Sequence, residues 1–534
     1  MSDYKLQEAY NFGDSIRFHA ERVPDKPATV FEDRTVSYSQ LDSYSNQVAN
    51  GLLALGIKPQ ERVGYYGKNS DYHVQIKGGT NKVNAVLVPV NWRLAPPEVQ
   101  YVMDDADIKV LFVTDEFAGL VETIKDQLPK LETVIVLDGP KGDWGDFAEW
   151  RDAQDNSDPG IEVGPKDVDV QLYTSGTTGR PKGVMLSNAT VYLGWEGVPK
   201  APDDPEIVGT WKEYDPDEVS LCIAPNFHLS GNGSIMTNIR MGTTVVIHPD
   251  FDIQKSTQAI LDYKISKIFM VPAVLKILID KAKQGADLSA INLISYGASP
   301  IPPELMREAV EYIGCGFLQM YGMTEIGGSA TFLEPDDHTL EPTERMKSAG
   351  KPGEFHEMKI VDPTTRKEVP RGQSGEIAIR IEHPMTGYYK KPEATAEVLD
   401  EDGWYYSGDV GKMDEEDYVY IQDRLKDMIV SGGENIYCAE VEAALFEHPA
   451  VREAAVIGVP SEKWGEEVLA IVALEPDQEL TAEELVDFAR SQIAGYKVPK
   501  QVEFVEALER NASGKLLKHV MREPYWEGHD RRVS

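Results

Sequence analysis

The chain has 534 residues with 53 Lys and Arg against 89 Asp and Glu, a formal net charge of −36. An acid excess of that size, spread along the chain, argues against non-specific nucleic-acid binding and against adsorption to an anionic membrane surface, since both are dense in negative charge. Cys222, Cys315 and Cys438 are far apart and have neither disulfide-framework nor zinc spacing, which points to a reducing compartment. The N-terminus lacks the apolar core of a secretory signal, and the longest apolar stretch, around 268–279, is broken by Pro272 and Lys276, so a cytoplasmic chain with no transmembrane segment is expected.

In chain order, Ser39 is predicted to cap a helix carrying Leu41, Tyr44, Val48, Leu52 and Leu55 that stops at Gly56. Strand-like runs follow at 110–113, 134–137, 245–248 and 267–271, alternating with helical periodicity. That alternation predicts α/β layers around mostly parallel sheets. The polar insert 202–218 is predicted to be a surface loop. From about 340 to 424 short strands (358–361, 376–381) separated by Gly and Pro predict a β-rich subdomain. After residue 427 an α+β unit is expected, with strands at 454–459, 468–474 and 502–505. Its helix should start at a Thr481–Glu484 capping box and stop at Gly495, and a last helix should show Leu516, Leu517, Val520 and Met521 on one face. The expected fold is thus α/β: a large multi-layer N-terminal domain (1–424, with 340–424 β-rich), a hinge at 425–427, and a small mobile α+β domain at 428–534.

The segment Tyr173-Thr174-Ser175-Gly176-Thr177-Thr178-Gly179-Arg180-Pro181-Lys182-Gly183-Val184 follows the apolar positions Val168, Val170 and Leu172. Its glycines allow backbone N–H groups to converge, its hydroxyls add donors, and Lys182 adds charge, so it can cradle phosphates. It is not a Walker loop, because Lys182 stands between Pro181 and Gly183. Further clusters are weaker one by one. Tyr296-Gly297-Ala298 leaves room for a flat ligand. Tyr321-Gly322-Met323-Thr324-Glu325 offers a ring, a hydroxyl and a carboxylate. Asp409, in Ser407-Gly408-Asp409, can accept from a diol, and Arg424 can reach the same ligand or form a surface ion pair. Gly432 and Gly433 permit close approach, Lys515 precedes the final helix, and His228 ends an apolar stretch as a core residue or a site residue.

Taken in order, these motifs resemble the adenylate-forming superfamily, specifically AMP-forming acyl-CoA synthetases of the fatty-acid–CoA ligase type, over about residues 12–523. The resemblance implies a carboxylic acid substrate, ATP, Mg2+ and coenzyme A, and a homodimer is allowed for. It implies that Thr174, Ser175, Gly176, Thr177, Thr178 and Lys182 hold the β- and γ-phosphates. Thr324 would touch the α-phosphate region and Glu325 would bind magnesium. Tyr321, Gly322, Gly297 and Ala298 would frame adenine, and Asp409 with Arg424 the ribose. Lys515 would bridge carboxylate and α-phosphate, and Lys426 would be the pivot. Gly432 and Gly433 would face pantetheine after the turn, and His228 would line the acyl pocket.

Three positions depart from the family pattern: Cys438 where a proline is usual, Asn188 where a histidine is usual, and Glu509 where a proline is usual before Arg510. An amino-acid-adenylating domain is disfavoured because His228 stands where such domains carry an aspartate. An acyl-AMP ligase serving a carrier protein would carry an insertion after Thr324-Glu325, and none is evident. A silent binding protein is disfavoured by Lys182, Glu325, Asp409 and Lys515 together. The expected acid is a medium- or long-chain fatty acid, with aryl or arylpropenoic acids as the alternative. Gly231, Gly233, Gly327 and Gly328 are expected to make the pocket roomy, with Asn232 where some long-chain enzymes place a gating tryptophan.

Overall fold

The computed structural model describes residues 11–174, 180–192, 210–212, 215–299, 301–341, 343–431, 434–510 and 516–527. Contacts divide the chain into two compact units, Met1–Glu357 with Arg380–Tyr405, and Met358–Ile379 with Tyr406–Ser534. Among the described residues the strands form four sheets.

The first unit contains two of them, and both bear out the α/β expectation. One runs Lys351–Pro352, Gly328–Leu333, Gly316–Met323, Leu293–Gly297, Lys267–Met270, Val219–Cys222, Thr244–Ile247, Pro27–Phe31 and Arg34–Ser37, with a parallel centre and antiparallel edges. The other runs Gly387–Tyr388, Lys182–Ser187, Val168–Thr174, Val86–Pro89, Arg62–Tyr66, Ile108–Val113 and Thr133–Val136. In it the strand Lys182–Ser187 is antiparallel to Val168–Thr174, so the phosphate-loop segment joins a hairpin, with Thr174 opposite Lys182.

The first helix predicted from Ser39 is Tyr38–Ala54, and its cap is Ser37. Gln40, not a residue after Ser39, completes a reciprocal capping box with Ser37, which satisfies two orphan N–H groups at once and so wins over a start at Ser39. Gly56 follows with φ +77°, the left-handed conformation expected after a helix end.

Helix Asp71–Lys82 has the sequence DYHVQIKGGTNK, and every residue but Tyr72 is buried. Gly78 and Gly79 let it press on helix Tyr38–Ala54: a Cβ on Gly79 would stand 2.4 Å from Val48 Cγ1, and one on Gly78 2.7 Å from Ser45 Cβ. Its charges are paired inside. Lys77 Nζ lies 2.5 Å from Asp169 Oδ2, with both side chains out of solvent. Asn81 Nδ2 donates to Asp169 Oδ1 at 2.7 Å and to Asn188 Oδ1 at 3.1 Å. Lys82 Nζ donates to Asp42 at 2.5 Å and Asn46 at 2.6 Å. Asn188, the position where a histidine is usual in the family, passes the network on to the carbonyls of Gly164 and Asp167.

The second unit holds a five-stranded sheet, Glu434–Ile436, Ile429–Ser431, Gly465–Leu474 and Val451–Ser461, with Gln501–Phe504 added beside Gly465–Leu474. It also holds most of a four-stranded sheet built from His356–Val361, Gly375–Ile381, Trp404–Met413 and Val419–Arg424. Helix Ala482–Gln492 has the predicted Thr481–Glu484 capping box but leaves helical geometry at Ile493, before Gly495. The last helix is only Lys518–Arg522, with Met521 buried and Val520 exposed; Leu516 and Leu517 precede it. Of the insert 202–218, Trp211 stacks on Phe332 of strand Gly328–Leu333 and donates to Glu334 at 3.1 Å. No described helix is long and apolar enough to cross a membrane.

Two outcomes follow. Asp169→Ala leaves an unpaired buried ammonium and should cost about 3–5 kcal/mol in denaturant unfolding, whereas Lys77→Met with Asp169→Leu should recover most of that loss. Burial pulls His19 down to about 4 and His73 to about 3, while both protonate near 6.5 in the unfolded chain. Above pH 6.5 neither form binds the proton; below it the unfolded chain binds first. The thermal midpoint should therefore fall as pH drops from 6.5 towards 4, and His73→Phe should flatten that fall.

Candidate active site

The hairpin carrying Thr174 and Lys182 is held at its mouth by side chains of the neighbouring helix. Tyr173 donates to Asp105 at 2.8 Å, Tyr101 donates to the Pro181 carbonyl at 3.2 Å, and Arg180 lies over the Tyr101 ring. Ser175, Gly176, Thr177 and Thr178 lie outside the described residues.

Lys182 Nζ sits 4.8 Å from the centre of the Tyr388 ring, and the Tyr388 hydroxyl donates to Glu325 Oε1 at 2.9 Å. Burial, with the Glu325 carboxylate adding to it, pushes the Tyr388 phenol up, so it stays a donor. The Tyr388 strand adds to the edge of Lys182–Ser187, and Met385 N donates to the Glu325 carbonyl at 2.8 Å. One short segment therefore binds the hairpin lysine and the Glu325 turn together. Sequence reasoning missed Tyr388, because nothing local marks a tyrosine in Gly387-Tyr388-Tyr389 as a bridge.

Thr324 and Glu325 form a 3-10 turn after strand Gly316–Met323. Gly327 ends it at φ +75°, where a Cβ would stand 2.6 Å from Thr190 Cγ2. Gly297 pairs with Met320 on the adjacent parallel strand, so Ala298 and Tyr321 are the next positions toward the carboxyl end of that pair, the edge where open α/β sheets take ligands. Ala298 has φ +67°, a left-handed setting that costs a non-glycine residue of order 1 kcal/mol. Gly297 and Gly322 have a different reason than room for a ligand. A Cβ on Gly297 would meet the Met320 carbonyl oxygen at 2.3 Å, and one on Gly322 the Gly328 carbonyl oxygen at 1.9 Å. Backbone likewise lies where a Cβ would stand on Gly231, 2.2 Å from the Pro225 carbonyl oxygen, and on Gly327, 2.8 Å from that of Thr190, whereas no described atom lies within 4 Å of a Cβ on Gly233.

His228 precedes helix Leu229–Met241, its ring 4.6 Å from that of Phe227. Burial pulls its imidazole down to about 4, so it is neutral near pH 7.

The second unit holds Asp409 and Arg424 opposite each other on paired strands, with Arg424 Nε 2.7 Å from Asp409 Oδ1. Gly408 takes φ +69°, and its N–H donates to Glu376 at 2.9 Å. Lys426 lies in the turn after Arg424, and Arg522 donates to its carbonyl and to Asp427 Oδ1 at 3.4 Å each. Cys438 explains its own departure: its N–H donates to Asp423 Oδ2, which a proline cannot do, and its thiol lies 3.1 Å from the Asp427 carbonyl. Burial pushes the Asp423 carboxyl up to about 6. Gly432, Gly433 and Lys515 lie outside the described residues.

The family profile of AMP-binding enzymes matches residues 16–389, and that of the AMP-binding enzyme C-terminal domain matches 440–515. The chain is 38% identical, over 97% of both chains, to the fatty acid–[acyl-carrier-protein] ligase ScoC of Streptomyces coeruleorubidus. It is 36% identical to a feruloyl-CoA synthase of Amycolatopsis sp, over 94% of this chain and 96% of the relative. The crystal structure of the anthranilate CoA ligase AuaEII in complex with anthranoyl-AMP superimposes with a TM-score of 0.86 at 27% identity, covering 97% of each chain. The chain therefore belongs to the AMP-binding enzyme family, within the adenylate-forming superfamily, and is an AMP-forming acid–thiol ligase of the acyl-CoA synthetase type.

Proposed function

We propose that the protein activates a carboxylic acid with ATP and passes the acyl group to coenzyme A, in the cytoplasm. A carboxylate oxygen attacks the α-phosphorus, the bond to the β-phosphate oxygen breaks, and pyrophosphate leaves. The coenzyme A sulfur then attacks the acyl carbon, losing its proton, and AMP leaves with the bridging oxygen. The observation that carries the reading is the Lys182–Tyr388–Glu325 chain. It holds a cation and a carboxylate beside one ring, the pair that a phosphate chain and its counter-ion need.

The donor set fits magnesium. Glu325 is a buried carboxylate in the same 3-10 turn as Thr324, and Mg2+ usually takes one or two carboxylates with substrate phosphates and water. When bound, the ion would neutralise charge on those phosphates. Lys182 and the hairpin loop would bind and orient the leaving group, Tyr321 and Ala298 would flank the adenine, and Asp409 with Arg424 would hold the ribose. Lys515 would neutralise the attacking carboxylate and the α-phosphate as they meet. Lys426 would be the pivot of the turn that exchanges Lys515 for Gly432 and Gly433 at the thiol's route.

For the acid, a compact aryl or arylpropenoic group fits better than the expected medium or long fatty chain. A Cβ on Gly231 or Gly327 would meet backbone, and a relative named for feruloyl-CoA stands at 36% identity; the relative at 38% is named for a fatty acid, which keeps the fatty chain as the alternative. Delivery to a carrier protein is the second reading, favoured by the relative named for that acceptor at 38% identity.

The deciding assay separates the half-reactions. Lys515→Ala should cut pyrophosphate release from acid plus ATP by at least 100-fold yet leave thioester formation from preformed acyl-AMP within a few-fold. Equal loss in both would remove the assigned role, and thioester on carrier-protein phosphopantetheine but not on coenzyme A would select the second reading. Tyr388→Phe keeps the ring under Lys182 but removes the hydrogen bond to Glu325. It should raise the magnesium concentration needed for half-maximal pyrophosphate release by roughly three- to tenfold, in line with about 1 kcal/mol for one hydrogen bond.

A further inference from the structure

A buried hydroxyl–imidazole pair lies in the first unit, on the strands that lead to Ala298 and Tyr321. Tyr296 and His338 are 1% and 9% exposed, and the Tyr296 hydroxyl stands 2.9 Å from His338 Nε2. Tyr296 faces Gln319 across the parallel strands Leu293–Gly297 and Gly316–Met323, and Gln319 Oε1 lies 3.2 Å from the same hydroxyl. Side chains two apart on a strand share a face, so Tyr321 follows Gln319 on the side where this cluster sits. Both strands are therefore tied together two residues short of Ala298 and Tyr321.

The proton positions follow from the partners. His338 Nδ1 is 2.8 Å from the Glu334 carbonyl, which can only accept. Burial pulls the imidazole below its ordinary value, against the pull of that carbonyl and of Asp337. The neutral ring therefore carries its proton on Nδ1 and accepts at Nε2. Burial pushes the Tyr296 phenol up, so it keeps its proton and gives it to Nε2. The anchor is fixed in turn: the Glu334 carboxylate accepts from Trp211 Nε1 at 3.1 Å, and His338 N closes the turn Pro335–Asp337 by donating to the Pro335 carbonyl at 3.1 Å. Two apolar side chains could fill the same space without the need to be paired. What the polar pair adds is direction, because a hydrogen bond fixes the ring of Tyr296 and the strand that bears it. Two residues on, Ala298 holds its left-handed φ of +67°, a setting that persists only where the surroundings over-determine it.

We propose that His338 is a positioning residue for the nucleotide: through the Tyr296 hydroxyl it holds the ends of strands Leu293–Gly297 and Gly316–Met323 so that Ala298 and Tyr321 stand at the spacing that the adenine ring requires. His338 itself touches no substrate. The inference rests on the acid–thiol ligase reading above, in which Ala298 and Tyr321 flank the adenine.

The test is AMP binding to the full-length protein by calorimetry, together with KM for ATP and KM for the acid in pyrophosphate release. Tyr296→Phe removes the hydroxyl and keeps the ring. His338→Leu removes the acceptor, and His338→Gln offers an amide oxygen in its place. Tyr296→Phe and His338→Leu should each weaken AMP binding and raise KM for ATP by roughly five- to tenfold, the effect of one lost hydrogen bond. In both, kcat and KM for the acid should stay within about twofold of the wild type, a split that general loosening of the fold would not give. His338→Gln should recover most of the AMP affinity, and the double variant Tyr296→Phe/His338→Leu should lose no more than the weaker-binding single variant, because the two groups act as one. Full AMP affinity in Tyr296→Phe, or an equal rise in KM for ATP and for the acid, overturns the inference and leaves the ligase reading standing. Tyr296→Phe conserves shape, so it decides the matter even if the His338 variants do not fold. A wild-type protein that binds no AMP overturns both.

Discussion

The buried ion pair between Lys77 and Asp169 is the constraint on which the first unit turns. Asp169 lies on the strand that delivers Thr174 to the phosphate-loop segment, and Lys77 fixes it from a helix that water does not reach. Removing two charges from water is costly unless their other valences are met, and Asn81 meets one by donating to the second Asp169 oxygen. Asn81 also donates to Asn188, the first residue after the returning strand. Both strands of the hairpin are thus pinned at the end remote from the ligand. A slip of one residue would turn Lys182 to the other face and would tear Asp169 from its only buried cation at hydrogen-bond distance among the described residues.

Much of the scaffold was legible in the sequence. Alternating apolar runs gave away the parallel strands to within two residues, and the Thr481–Glu484 box marked a helix start, because both signals are local. The helix Asp71–Lys82 was not legible. Its polar sequence has the look of solvent-facing chain, and only partners 35 to 90 or so positions away make it a core element. Tyr388 was invisible for the same reason: its role depends on an edge pairing with Lys182–Ser187 and on a turn 63 residues earlier. The glycines were read too generously. A glycine in a sequence announces close approach, but what approaches is a tertiary fact, and at Gly297, Gly322, Gly231 and Gly327 the protein's own backbone lies where a Cβ would stand.

The departures from the family pattern divide into two kinds. Asn188 and Cys438 are each wired into a buried network, one through its side-chain amide and the other through a backbone N–H that a proline lacks. Each replaced group therefore has neighbours fitted to it: Asn81 donates to the Asn188 amide oxygen, and Asp423 accepts from the Cys438 N–H. Restoring the usual residue at either place alone would orphan that neighbour. Glu509 is exposed, and it is its backbone carbonyl that accepts from Leu517 N at 2.9 Å.

The phosphate segment is continued by the strand Lys182–Ser187 and not by a helix. A nucleotide loop that opens a helix adds an aligned macrodipole, about half a unit charge, to its hold on the anion. A hairpin has no such field behind it. Its grip on a pyrophosphate would come from near contacts that vanish once the product shifts by a few ångströms, with little long-range attraction to draw it back. If the segment holds pyrophosphate as proposed, a short-range clasp of that kind favours turnover over retention.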